Sequence, residues 1–154
     1  MSWLQRHAWR VLLAMTGLIA VIGINPVRSG IAEDESVPLG LAGLTSAQLK
    51  AGDPNIYRLI DFQARSAGFA LIALGILLSA VLVGGFRRER RWAWWSMWVL
   101  PAWGAAVSGL IILEGMEPDQ PRPWPVFSGV VIAALSSVLL VVTAPLFFGP
   151  KQAR

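Results

Sequence analysis

Apolar residues in this chain gather in four long blocks, separated by segments rich in charge, proline and glycine. A helix crossing the roughly 30 Å hydrocarbon core of a bilayer needs about 20 predominantly apolar residues. Four stretches fit that description, at about 9–24, 67–86, 92–113 and 126–148. None of them carries Asp, Glu, Lys, Arg or His near its middle. The first is the shortest and stops at Asn25-Pro26. The pattern predicts an all-α fold, a four-transmembrane-helix bundle forming one membrane domain over residues 1–154. The longer connections are 25–66 and 114–125.

The connections carry their own signals. Residues 25–53 start as coil, punctuated by Pro26, Gly30, Pro38, Gly40 and Gly43. Thr45-Ser46-Ala47-Gln48 then fits a capping box, so a short helix is expected over Leu49 to Ala51, ended by Gly52. Asp53-Pro54 is a second start, an N-cap acid followed by proline at the first helical position. Nothing breaks the helix strongly from there to Phe86, roughly 50 Å at 1.5 Å per residue. Its first dozen residues are therefore expected to project outside the membrane or run along it. The link Arg87-Arg88-Glu89-Arg90-Arg91 is tight and predicts antiparallel neighbours on either side. Pro118, Pro121, Pro123 and Pro125 make the last connection extended and stiff.

Composition sharpens the class. The chain is 55% apolar and 14% charged, with mean hydropathy +0.59; an average globular domain has about 25% charged residues. So much apolar surface excludes a water-soluble enzyme of this size. The formal net charge of +4 is a topology signal and not a nucleic-acid footprint. Arg6, Arg10, Arg87, Arg88, Arg90, Arg91, Lys151 and Arg154 collect on one side against Glu89 alone. Arg28, Lys50, Arg58, Arg65 and Arg122 face eight acids on the other. Basic flanks stay cytoplasmic, so both termini are expected inside, with the first span a retained signal anchor in preference to a cleaved signal peptide. With no cysteine and one histidine, His7, neither a metal site nor any other cofactor is expected.

Eight tryptophans are the most unusual feature. Trp3, Trp9, Trp92, Trp94, Trp95 and Trp124 fall at block edges and read as an interfacial aromatic belt. Trp98 and Trp103 fall deep, and between them Pro101 deprives the Met97 carbonyl of its helical partner. A deep indole N–H needs an acceptor; Ser136 and Ser137 stand at similar depth, Thr16 and Ser79 nearer the cytoplasmic side. One account is a kinked helix held by interhelical hydrogen bonds. The other is a ligand pocket lined by Trp98, Trp103, Ser136 and Ser137. Small residues recur four apart, in Gly75/Ser79, Ala80/Gly84, Ala102/Ala106, Gly104/Ser108, Ala105/Gly109 and Gly129/Ala133. Such rows let helix backbones approach.

An outer ionic layer is expected from Arg58, Asp61, Arg65, Glu114 and Arg122. It reads either as an ion-pair ladder, with Asp61 flanked by Arg58 and Arg65, or as a carboxylate pair for proton transfer. No catalytic residue is singled out.

Asp53-Pro54, the long second helix, the basic hairpin, Trp92-Ala93-Trp94-Trp95 and Pro101 together resemble small four-span bacterial membrane proteins of the broad DoxX-like group. The resemblance covers about residues 45–114 and implies a plasma-membrane four-helix bundle, with no functional residue carried over. The expected role is an accessory or structural subunit packed against other membrane subunits or itself, in the lipid bilayer. The alternative is a binder or enzyme for an apolar ligand such as a quinone, lipid or pigment. A dimeric four-span drug exporter is disfavoured, because that design places a carboxylate in the first span, where this chain reads Val11 to Leu18 without one.

Overall fold

The computed structural model describes residues 3–33, 35–115 and 123–149. Among these residues it contains helices and no strand: α1 (Trp3–Ser29), α2 (Ser36–Ala42), α3 (Ser46–Gly52), α4 (Pro54–Gly84), α5 (Arg91–Ser96), α6 (Val99–Glu114) and α7 (Trp124–Phe148). Four helical stretches, His7–Ala32, Pro54–Arg88, Arg91–Glu114 and Trp124–Phe148, are long and apolar enough to cross a membrane. The chain is thus all-α with four candidate spans.

Helix starts follow the local chemistry. Thr45 Oγ1 accepts from Gln48 N while Gln48 Oε1 accepts from Thr45 N, which is the capping box that opens α3. Asp53 accepts from the backbone N–H groups of Asn55 and Ile56, and Pro54 fills the first position of α4. The hairpin Arg87 to Arg91 turns through a 3₁₀ segment, Phe86–Arg88, and a left-handed Glu89.

Three expectations are corrected. Residues 25–29 are helical, because α1 continues through Pro26 to Ser29. An interior proline costs a helix about 3 kcal/mol, and here α4 supports the last turn: Arg65 donates to the carbonyls of Val27 and Arg28. The coil expected next contains a 3₁₀ turn, Gly30–Glu33, and then α2. The third block, expected as one helix over 92–113, is divided at Met97-Trp98 into α5 and α6, although both residues keep right-handed helical angles. Pro101 sits in the first turn of α6, where a missing N–H costs nothing. The Met97 carbonyl is not orphaned either; it accepts a 3₁₀-type bond from Leu100 N at 3.1 Å.

Packing divides the long helices into two close pairs, α1 with α4 and α6 with α7. Glycine sets both seams. A Cβ on Gly23 or Gly68 would lie 2.7 Å from the other's carbonyl oxygen, and one on Gly75 would lie 2.6 Å from Thr16 O. In the second pair, Gly104 and Gly129 stand in the same relation at 2.6 Å. Hydroxyls fasten the same seams: Thr16 bonds Ser79 at 2.9 Å, and Ser108 donates to the Val126 carbonyl at 2.9 Å. The buried apolar core lies mainly between the pairs toward the α1 N-terminus, where Leu12, Leu82, Phe86, Trp94, Met97, Leu140 and Phe147 meet. α6 therefore partners α7, while α4 meets the third block mainly beside the hairpin, through α5.

Candidate functional site

At the other end the two pairs diverge. A cavity of about 580 Å³ opens between the second half of α1, the middle of α4, α6 and the first turns of α7. Ile19, Pro26, Leu74, Trp103, Trp124 and Ile132 contribute to a wall that is almost wholly apolar. Ser128, the one hydroxyl on it, is already engaged with the carbonyls of Trp124 and Pro125 in its own helix. Trp103 and Trp124 are different: no described residue accepts a hydrogen bond from either indole N–H. The α2 segment reaches this end, where Ser36 Oγ accepts from the backbone N–H of Trp124 at 3.1 Å.

The four residues grouped as pocket candidates do not come together. Trp103 lines the cavity; Trp98, Ser136 and Ser137 do not. The break at Met97-Trp98 directs Trp98 toward the closed end, where its ring meets Trp94 edge-on at 5.6 Å. Its Nε1 is buried without a partner. Ser136 is buried, with its hydroxyl donated to Ile132 O of its own helix. Thr16 and Ser79, the other acceptors considered for a deep indole, bond each other.

The belt expectation also divides. Trp92, Trp95 and Trp124 are well exposed, but Trp94 is buried and donates to the Leu140 carbonyl at 2.9 Å. Trp92 and Trp95, at nearly the same level, face outward, so level alone did not separate Trp94 from them.

The ionic layer is built as a helix clamp. Arg65 Nε donates to Asp61 Oδ2 at 2.8 Å, and its Nη1 reaches the Val27 and Arg28 carbonyls at the end of α1. The other oxygen of Asp61 accepts from Ile31 N at 3.1 Å. Together the two residues satisfy acceptors and a donor that the end of α1 would leave open. Gly30 is left-handed here, and a Cβ would collide with the Asp61 carboxylate. Arg58 and Glu114 are exposed and outside this clamp; Arg122 lies outside the described residues. Asp61 and Glu114 are not joined by any hydrogen bond. Among the described residues no three His, Asp or Glu side chains could hold a metal.

Gly23, Gly68 and the clamp contacts of Asp61 and Arg65 escaped the sequence reading. A signal existed for the glycines: Thr16 and Gly23, and Gly68 and Gly75, are seven apart, the spacing of a continuous helix seam. The clamp had none, because it depends on where α1 ends. Comparison with family models, curated proteins and solved structures finds no match to this chain.

Proposed function

We propose that this is a multi-pass protein of a bacterial plasma membrane, both termini cytoplasmic, that holds one apolar molecule in the cavity between its helix pairs. The cavity carries the proposal. Its 580 Å³ falls in the range of about 300–1,000 Å³ typical of small-molecule sites. Apolar walls suit the body of a lipid, quinone or pigment, and the indole N–H groups of Trp103 and Trp124, which have no acceptor among the described residues, suit a carbonyl on it. The orientation rests on the sorted charge. Contact with lipid is supported by outward-facing Leu18, Phe69, Leu77, Phe127 and Val138, which water would not tolerate in such number. Binding is favoured over catalysis, since the nearest ionised pair, Asp61 and Arg65, is committed to the end of α1.

Purification in mild detergent, followed by lipid extraction and mass spectrometry, tests the proposal. A single apolar species should exceed its share of bulk lipid. Its retention should fall in Ala70→Leu, which narrows the cavity, while the fold survives. Bulk lipid alone in the wild type would refute it.

A second role, as an accessory subunit, is supported by the outer face of α6. Ala102, Ala105 and Ala106 are exposed, and Gly109 has open space around its Cβ position. Small residues on an exposed membrane helix let a partner backbone approach. A monomer purified without any accompanying protein would remove that support.

A further inference from the structure

We infer that Arg10 and Arg87, set about the ring of Trp9, form a seat for the phosphate of an anionic phospholipid at the end opposite the cavity. Trp9 stands near the start of α1, and its ring packs on the buried core at the closed end. The Arg10 guanidinium lies 5.5 Å from the ring centroid and that of Arg87 lies 5.2 Å from the same centroid. Two segments far apart in sequence thus bring two cations to one aromatic ring.

No described residue neutralises either cation. Among the described residues the one ion pair is Arg65–Asp61, at the other end of the molecule. Glu89, the acid of the hairpin, is exposed and pairs with neither arginine. A cation over the face of an indole is attracted to it, while two like charges at one ring repel. An anion shared by both guanidiniums turns that repulsion into two charge-assisted hydrogen-bond donors, in the fork geometry that suits phosphate.

The other hairpin arginines provide the contrast. Arg91 donates to the Phe147 carbonyl at 3.1 Å and covers the Phe148 ring, so it serves the end of α7. Arg88 and Arg90 are exposed and share no ring. Beside the seat, Val11 and Val83 are exposed apolar side chains on the membrane side of Arg10 and Arg87. They offer acyl chains a surface that a free phosphate ion would not use, which favours the lipid as the source.

Native mass spectrometry of the full chain in detergent tests this, with dioleoylphosphatidylglycerol, dioleoylphosphatidylcholine or inorganic phosphate added. The wild type should retain phosphatidylglycerol in preference to phosphatidylcholine. Arg87→Gln should lower that preference roughly fivefold, and Arg10→Gln/Arg87→Gln by more, from about 1 kcal/mol per surface arginine. Arg88→Gln/Arg90→Gln removes the same charge but leaves the ring pair intact, so it should lower the preference several-fold less than the Arg10→Gln/Arg87→Gln double. Equal losses in the two doubles, or no preference in the wild type, would overturn the seat. Displacement of the lipid by an equal concentration of inorganic phosphate would overturn the lipid assignment.

Discussion

The same two helix pairs are closed at one end and open at the other. At the closed end aromatic rings fill the space between pairs: Phe86 meets Phe147 at 4.7 Å, and Trp94 meets Trp98 at 5.6 Å and Phe148 at 5.1 Å. The Trp94 indole adds a hydrogen bond to Leu140 O. At the open end Trp103 and Trp124 bound a cavity instead of filling it. Tryptophan is present at both ends, so its abundance does not decide which end closes. What differs is the company of each ring: Trp94 has an acceptor on α7 and rings on both sides, from Trp98 and Phe148, while Trp103 and Trp124 have no hydrogen-bond acceptor among the described residues and line open space.

The largest effect should come from unplugging the closed end. Trp94→Ala removes a buried ring and its hydrogen bond, and large-to-small changes of this kind cost about 3–5 kcal/mol. Trp94→Phe keeps most of the ring and should cost about 1 kcal/mol, the scale of one lost hydrogen bond, because the Leu140 carbonyl still accepts from Thr143 Oγ1. Thermal melts in detergent read both. A Trp94→Ala protein as stable as wild type would show that the two ends do not differ in packing.

The seams come next, and they hold both ends alike. Gly23→Ala and Gly104→Ala each place a Cβ against a facing carbonyl, so overpacking should cost about 1–3 kcal/mol. Gly84→Ala and Gly109→Ala meet nothing within 4 Å and should be neutral or slightly stabilising in the same melts. If the two sets behaved alike, the glycine contacts would not be what joins the pairs.

The four long helices were legible because blocks of about twenty apolar residues admit little else. Thr45 and Asp53 were legible because a cap is a local event, complete within four residues. Facing was harder. Counting turns gives a residue's depth but not its azimuth, so Trp94 read as belt and Trp98 as pocket. The break at Met97-Trp98 changes the register between them, and nothing before it reveals the angle. Four-residue spacing correctly picked out Gly75, Gly104 and Gly129, which lie in the seams, yet also picked Gly84 and Gly109, which do not. Seven-residue spacing sorts them better: Gly129, Ser136 and Thr143 run along one buried face of α7. Asp61 and Arg65 were legible as a pair, but their purpose depends on α1 passing Pro26, which local propensity argues against.

At the open end the expected stability loss is smaller and the functional loss larger. Trp103→Ala removes a half-buried ring that lines the cavity, and lipid can enter in its place. A cost of about 1–2 kcal/mol is expected, well short of full Trp truncation in a filled core. The apolar species retained on purification should nevertheless fall sharply. Melts and lipid mass spectrometry on one preparation separate these effects. A loss equal to that of Trp94→Ala would mean that Trp103 is core, and the contrast between ends would collapse.

The smallest effect concerns the segment over the open end. Glu35 accepts from the backbone N–H of Ser46 at 2.8 Å and from the Ser46 hydroxyl, tying the start of α2 to the start of α3. These hydrogen bonds, the side-chain one first, favour the carboxylate and hold the Glu35 pKa below its ordinary value of 4.5. A lowered pKa contributes stability that is complete above the ordinary carboxylate range and fades as pH falls through the lowered value. Acidification below about pH 4.5 should therefore loosen the α2–α3 contact first. Hydrogen exchange at the Ser46 amide would report it, with amides around Trp94 as the internal control. Glu35→Gln should show the loosened state at neutral pH and lose the pH response. If protection at Ser46 and near Trp94 fell together, acid would be unfolding the bundle as a whole, and the open end would have no local transition of its own.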